Sequence, residues 1–240
     1  RSFHAEDLSR KPWVQRADVE LCNAFYGRIE ADDEAAWRGL QSYYFNCIRD
    51  VDESIGQVLD ALRASGQEDD TLVVLARGPL TLGPTQFAWF QVSFTPSGPQ
   101  IVPEQAEQSR QALVLLLAEL QRQHGVAAQQ TVVAGFSQGG IMSAGVALTS
   151  PESVAGFGLL SGRILPEIAP LLASRERLAR LQGFVGHGEL DSKLPVDWAH
   201  RAHAWLDELG VGHALKLYPI DHGISAQMHA DFLRWWAELG

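Results

Sequence analysis

A serine flanked by glycines, Gly135-Phe136-Ser137-Gln138-Gly139, lies between an apolar run, Thr131 to Gly135, and a helix-forming run that begins at Gln138. A serine hydroxyl is a poor nucleophile at neutral pH until a base takes its proton. On a sharp strand-to-helix turn, such a serine is held in a strained backbone conformation at the end of its strand. The residues two before and two after it must be small there, because strand and helix pass close together; Gly135 and Gly139 meet that need. A carboxylate and a histidine follow in the order acid, then base. Asp191 stands in His187-Gly-Glu-Leu-Asp191, directly after a strand expected to end at Gly186, and His222 in Asp221-His222-Gly223, after a strand expected to end at Tyr218. All three side chains would therefore sit at strand C-terminal edges on one side of a sheet, the placement that serine-based acyl transfer requires.

The competing candidates are weaker. Asp197 reads as an early helix residue favoured by the macrodipole, and Asp221 is too close in sequence to His222 to reach its ring. His200 and His203 are three apart on one helix and could ligate a metal, but the sequence suggests no third ligand and no supporting shell, so surface histidines are expected and no metal or cofactor is implied. His187 and His213 carry no signal of their own.

These residues must be positioned by alternating helices and strands. Apolar residues at Tyr44, Ile48, Val51, Ile55, Val58, Leu59 and Leu62 form one helical stripe that stops at Ser65-Gly66. Thr71 to Ala76 reads as a buried strand and Phe87 to Phe94 as a more exposed one. Then come a helix from about Glu104 to His124, a strand Thr131 to Gly135, a helix from Gln138 to about Leu148 closed by Pro151, and a strand near Ala155 to Leu160. The last elements are a strand Gly183 to Gly186, a helix from about Val196 to Leu209, a strand Ala214 to Tyr218 and a helix from Ser225 to Glu238. Such repetition implies an α/β fold, a mostly parallel sheet flanked by helices.

Composition narrows the classes. The chain has 240 residues, 46% of them hydrophobic, enough for one sizeable core, and a formal charge of −10 without basic clusters, which argues against nucleic acid or an anionic membrane as partner. Cys22 and Cys47 form no CxxC spacing and no disulfide framework, consistent with a reducing compartment. The longest apolar stretch, near Leu113 to Leu117, is too short to span a bilayer, and residues 1 to 20 lack the apolar centre of a signal peptide. A soluble, cytoplasmic protein is the expectation.

The segments GFSQGG, HGELDSKLP and DHG resemble the carboxylesterase, lysophospholipase and acyl-protein thioesterase family of α/β-hydrolases. The resemblance runs from about Leu75 to the C-terminus. It implies triad roles for Ser137, Asp191 and His222 and an oxyanion donor at the backbone N–H of Gln138. Arg77-Gly-Pro-Leu80 and Ala88-Trp-Phe90 resemble the segment after the family's fourth strand, and Leu160-Ser-Gly-Arg163 its post-nucleophile strand end. Trp89, Phe90, Ile164 and Leu165 are candidate walls of an acyl pocket, with ordinary core packing as the equal alternative. The family's HG loop, which donates the second oxyanion N–H, has no counterpart before Arg77; backbone N–H groups at Arg77 and Gly78 are the candidates to replace it.

The first 75 residues resemble something else. Tyr43 to Asp52, Gly56 to Asp60 and Asp70-Thr-Leu-Val-Val are similar to a sulfatase helix and strand, yet neither cysteine opens the CxPxR or CxAxR motif of sulfatases. The expected organisation is a sulfatase-like N-terminal arm and helix over 1–70 and an α/β-hydrolase-like catalytic domain over 71–240 without the usual first strands. An exposed strand edge in so reduced a sheet invites a homodimer. The implied activity is a serine esterase acting on small-molecule or acyl-chain esters through an acyl-enzyme. Two alternatives remain open: an impaired hydrolase-like binding protein, and a metal-dependent sulfate or phosphate ester hydrolase.

Overall fold

The computed structural model describes residues 68–83, 86–95 and 98–239 and isolated positions between 33 and 66. Both cysteines, most of the sulfatase-like stretch and most of the expected helix from Tyr44 lie outside the described residues. The chain divides into two units, Arg1–Ala76 with Thr81–Phe87, and Arg77–Leu80 with Ala88–Gly240. In the first, Glu68–Asp70 make a single 3-10 turn, and residues 71–76 follow without regular structure or a ladder partner among the described residues. Leu72, Val73, Val74 and Leu75 are 38% to 70% exposed, so the buried strand expected at Thr71 to Ala76 is not formed. Strand propensity expresses fit to a pleated, half-covered surface; without a neighbouring strand it specifies nothing.

Two short two-stranded ladders come next, β1 (Leu80–Gly83) with β2 (Gln86–Ala88), and β3 (Val92–Thr95) antiparallel to β4 (Gly98–Ile101). The remaining order is α1 (Pro103–His124), β5 (Val132–Phe136), α2 (Gln138–Thr149), β6 (Gly156–Leu160), α3 (Arg175–Leu178), β7 (Gln182–Gly188), α4 (Asp197–Leu209), β8 (Gly212–Tyr218) and α5 (Ala226–Glu238). Each helix expected after residue 100 is present to within two residues of its expected ends. The expected strand from Phe87 to Phe94 is instead broken at Trp89 and Phe90, for a reason that belongs to the site.

The strands β5, β6, β7 and β8 form a parallel sheet in that order, in continuous register from Val132 opposite Gly156 to Gly188 opposite Tyr218. Period-two alternation sends successive strand residues to opposite faces. On one face Phe157, Leu159 and Val185 meet the apolar side of α2, from Ile141 to Leu148, together with Leu113 of α1 and Ala199, Ala202 and Leu206 of α4. On the other, Leu160, Phe184 and Tyr218 pack on Met228, Phe232 and Trp235 of α5. Each fully buried Leu, Phe or Met contributes about 1.5–3 kcal/mol of transfer free energy, so both layers hold the sheet. α2 is buried from Gly140 to Leu148, which explains a helix with almost no polar residues.

Helix ends follow local chemistry. Pro103 opens α1 at a position where its missing N–H is not needed, and Gly125 closes it with φ 67°. The Ser225 hydroxyl accepts the Met228 N–H at 3.1 Å to cap α5, which begins directly behind the loop carrying His222. Among the described residues no helix is long and apolar enough to cross a membrane. Among the described strands of this sheet β5, which leads to Ser137, is terminal, and Phe136 at its end is 38% exposed.

Candidate active site

Ser137 joins β5 to α2 with φ 52° and ψ −116°, one of two non-glycine residues with positive φ among the described residues. Such a conformation costs of order 1–3 kcal/mol and persists only where its surroundings over-determine it. They do so here. The Ser137 N–H donates to the Leu160 carbonyl at 2.8 Å, extending the β5 and β6 ladder through the turn, and its own carbonyl accepts the Ile141 N–H at 3.0 Å. A Cβ on Gly135 would lie 2.3 Å from the Gly139 carbonyl carbon, so the strand can carry only glycine there. At Gly139 a Cβ would meet open space; the second tight position is Gly140, 2.8 Å from the Gly135 oxygen. The requirement for smallness thus falls at 135 and 140 rather than at 135 and 139.

The three expected side chains come together. His222 Nε2 lies 3.1 Å from Ser137 Oγ, and His222 Nδ1 lies 2.8 Å from Asp191 Oδ2. A carboxylate can only accept, so Nδ1 carries the hydrogen and Nε2 presents its lone pair to the Ser137 hydroxyl. Asp191 is 5% exposed, and its other oxygen accepts the N–H groups of Lys193 and Leu194 at 2.9 and 2.8 Å. Asp191 is held by its own loop. His222 is steadied from two sides, by the Phe136 ring at 4.8 Å between centroids and by Ser161, whose hydroxyl donates to the Gly223 carbonyl at 3.0 Å. Ser161 is the other positive-φ residue, at 47°, and is fully buried after β6.

Two residues set aside on sequence grounds brace this arrangement. His187, without exposure, donates from Nε2 to the Leu194 carbonyl at 2.8 Å and lies 3.4 Å from Asp191 Oδ2, beneath the acid. The signal available for it was its place at the end of β7, four residues before Asp191. Asp221 cannot orient the His222 ring, as expected. Its Oδ1 accepts the backbone N–H groups of both Ser192 and His222 at 2.7 Å, and its Oδ2 accepts the Ser192 hydroxyl at 3.2 Å. One carboxylate therefore ties the acid loop to the base loop.

The Ser192 and His222 backbone N–H groups hold the Asp221 carboxyl below the usual carboxylate range. A depressed folded-state value means this stabilisation is complete above the unfolded carboxylate pKa, near ~3.9, and is lost as pH falls through the lower folded value. The clasp thus persists through the whole neutral range. Replacing Asp221 with alanine should lower kcat by about 10- to 100-fold through misplacement of His222, with KM nearly unchanged. Steady-state kinetics on a nitrophenyl ester checks this, and a change confined to KM would contradict it.

The oxyanion and pocket candidates occupy distinct environments. Gln138 is the first residue of α2, where N–H groups have no intrahelical carbonyl to meet and the helix dipole favours negative charge. Its side chain also holds a neighbouring segment, since Oε1 accepts the Trp89 N–H and Nε2 donates to the Phe90 carbonyl, each at 3.1 Å. These bonds replace the ladder bonds that one strand over Phe87 to Phe94 would have needed, which is why that strand breaks in two. Gly78 is buried, and a Cβ on it would lie 2.2 Å from the Ala88 carbonyl carbon. The Arg77-Gly78 backbone therefore runs against the same segment that Gln138 secures. Phe90, Ile164 and Leu165, at 1%, 5% and 3% exposure, are members of the main core, with Trp89 packed at its margin.

Two of the clefts in the unit that holds these residues bear on the acyl-pocket candidates. One, of about 280 Å³, includes Ala106, Ile141, Met142, Leu165 and Ile168; the other, of about 270 Å³, includes Ile164, Trp198, Ala202 and Trp205. Neither of the two is lined by Ser137, Asp191 or His222. Among the described residues the group able to hold a metal is His203, Asp207 and His213, which includes no triad member.

A carboxylesterase of Bacillus cereus superposes with a TM-score of 0.60 at 15% identity, over 68% of this chain and 74% of that one. Esterase PE8 superposes at 0.60 and 24% identity, over 74% of this chain and 84% of its own. At these identities the likeness is one of fold, the α/β-hydrolase fold. Acyl-protein thioesterase 1 of Eremothecium gossypii is 32% identical over 126 residues, 50% of this chain and 52% of the thioesterase, so the chain spans about half the length of that curated relative. The phospholipase/carboxylesterase family model matches residues 77–236, from the Arg77-Gly78 segment into α5. On that match the chain belongs to the phospholipase/carboxylesterase family.

Proposed function

We propose that residues 71–240 form the catalytic domain of a serine carboxylic-ester hydrolase acting on small or acyl-chain esters through an acyl-enzyme. The observation that carries this reading is the continuous relay from Ser137 Oγ to His222 Nε2, at 3.1 Å, and from His222 Nδ1 to Asp191, at 2.8 Å. Ser137 Oγ attacks the ester carbonyl while its proton passes to His222 Nε2, and Asp191 stabilises the imidazolium that results. The negative charge on the tetrahedral oxygen is met by the Gln138 N–H at the α2 N-terminus, with the Arg77 and Gly78 N–H groups as the second donors. His222 then protonates the departing alcohol or thiol, and water deprotonated by His222 releases the acid. In that last step His222 takes a proton from water, hydroxide adds to the acyl carbon, and the proton passes from His222 to Ser137 Oγ as the acyl–Oγ bond breaks, so the relay is restored and the cycle calls for neither metal nor organic cofactor.

The name of the Eremothecium relative supports thioesters within the substrate class, and the exposed Phe136 ring beside the nucleophile suits an acyl chain lying across the surface. A fluorophosphonate probe tests the nucleophile: stoichiometric labelling of the wild type is expected, and its absence would favour the impaired, binding-only alternative. Hydrolysis of nitrophenyl esters of increasing chain length then reads the acyl site. The terminal position of β5 in the sheet supports a homodimer formed by strand pairing, which a solution mass equal to one chain at high concentration would exclude.

A further inference from the structure

The N-terminal end of β8 and the C-terminal half of α4 bring together three side chains that the acyl-transfer reading does not use. His203 and Asp207 stand one turn apart on α4, and His213 is the second residue of β8, across the short Gly210-Val211 connection. His203 Nδ1 lies 2.6 Å from His213 Nε2, His203 Nε2 lies 3.6 Å from one Asp207 oxygen, and His213 Nε2 lies 4.0 Å from the other. One ligand atom from each can be chosen so that all lie within 4.8 Å of one another.

The decisive feature is how His213 is held. Its side chain is 3% exposed, and Nδ1 is 2.8 Å from the Val211 carbonyl, which can only accept. The Nδ1 hydrogen is therefore fixed on that carbonyl, and Nε2 presents its lone pair toward His203 and Asp207. A ligating histidine almost always donates its other ring N–H to a carbonyl or carboxylate in this way. His203 and Asp207, with side chains 44% and 63% exposed, lie on the solvent side and leave a path of entry.

We propose that His203, Asp207 and His213 form a binding site for a divalent transition metal, with Zn²⁺ as its natural occupant. Two imidazole nitrogens and a carboxylate are a borderline-soft donor set suited to zinc, leaving a fourth position for water. Tetrahedral ligands at the usual zinc distances stand roughly 3.3 Å apart. Admitting the ion therefore requires the 2.6 Å pair to part slightly, which the exposed His203 can do without moving the core. The site is remote from the triad: His213 is the second residue of β8 and His222 follows the strand's far end, which is roughly 17 Å away along the strand. Its effect is to pin α4 to the strand that carries the catalytic base.

The test uses the full chain, stripped with chelator and titrated with Zn²⁺ alone against a chromophoric indicator. Wild type should bind one equivalent, and Zn²⁺ should raise its Tm. Loss of a supporting hydrogen bond typically weakens a metal site by about 10- to 100-fold, and loss of a ligand by no less, so Asp207→Asn and His203→Gln, both at exposed positions, should each weaken binding by at least about tenfold. Both variants should keep the wild-type rate on a nitrophenyl ester. Absence of saturable one-to-one binding to the wild type, or variants whose affinity falls by less than about tenfold, would overturn the site.

Discussion

Ser137→Ala should remove fluorophosphonate labelling altogether and lower kcat by about 10⁴-fold or more, while the folded state and its thermal transition stay near those of wild type. The nucleophile of such a triad is not one contributor among several; deleting it removes the covalent route, and only electrostatic stabilisation of water attack is left. The loss should be much larger than that from Asp221→Ala, because Asp221 touches only the backbone of the two loops and the Ser192 hydroxyl, not the reacting atoms. Stability should hold. The φ of 52° is imposed by the bonds from the Ser137 N–H to Leu160 and from the Ile141 N–H to the Ser137 carbonyl, and alanine keeps both. Rates on a short nitrophenyl ester, with circular dichroism melting curves of both proteins, check the two halves of this expectation. A variant that retains about a tenth of the wild-type rate would reject Ser137 as the nucleophile.

Gly135→Ala should be the most disruptive single methyl group in the site. The added Cβ would meet the Gly139 carbonyl carbon at 2.3 Å, its oxygen at 2.5 Å and the Gly140 nitrogen at 2.7 Å. All three are backbone atoms of the first turn of α2 and cannot rotate away. Relief requires α2 to shift off the sheet, and α2 is buried on nearly every side from Gly140 to Leu148. Overpacking of this kind costs typically about 1–3 kcal/mol, and contact with rigid backbone places this case at the upper end or above it. The same shift would withdraw Ser137 from His222 and the Gln138 N–H from the developing oxyanion, so activity should fall by about 10²-fold or more even in the fraction that folds. Gly139→Ala is the matched control. Its Cβ would enter open space on a helix, so it should leave stability unchanged or raise it by up to about 1 kcal/mol. Urea unfolding of the two variants separates them, and equal stabilities would refute the close approach at Gly135.

The chain past residue 100 was legible because its signals are local and redundant. The β5 to α2 turn is written in Gly135 and Ser137, although its second tight position falls at Gly140 rather than the expected Gly139. Asp191 and His222 could be chosen because each stands just past a strand end, and a parallel sheet delivers all such ends to one side. Trp89 and Phe90 were harder. Their run reads as strand, but the Gln138 side chain, 49 residues after Trp89 and 48 after Phe90, takes the backbone bonds that a strand would use.

The chain order Ser137, Asp191, His222, and the turn that strains Ser137, were determined by sequence alone, since they depend on residue type within a few positions. Tertiary structure decided what lies between distant segments: His187 beneath Asp191, Asp221 bridging Ser192 and His222, and His213 turned toward His203 and Asp207. Of these only His187 had a local signal, its place at the end of β7 four residues before Asp191. A histidine or aspartate becomes a brace or a ligand through where its lone pairs and hydrogens point, and only the packed sheet and its helices set those directions. The exposed Leu72 to Leu75 makes the same point in reverse. An apolar, β-branched run is a strand only when another strand takes its hydrogen bonds, and the run itself carries no such information.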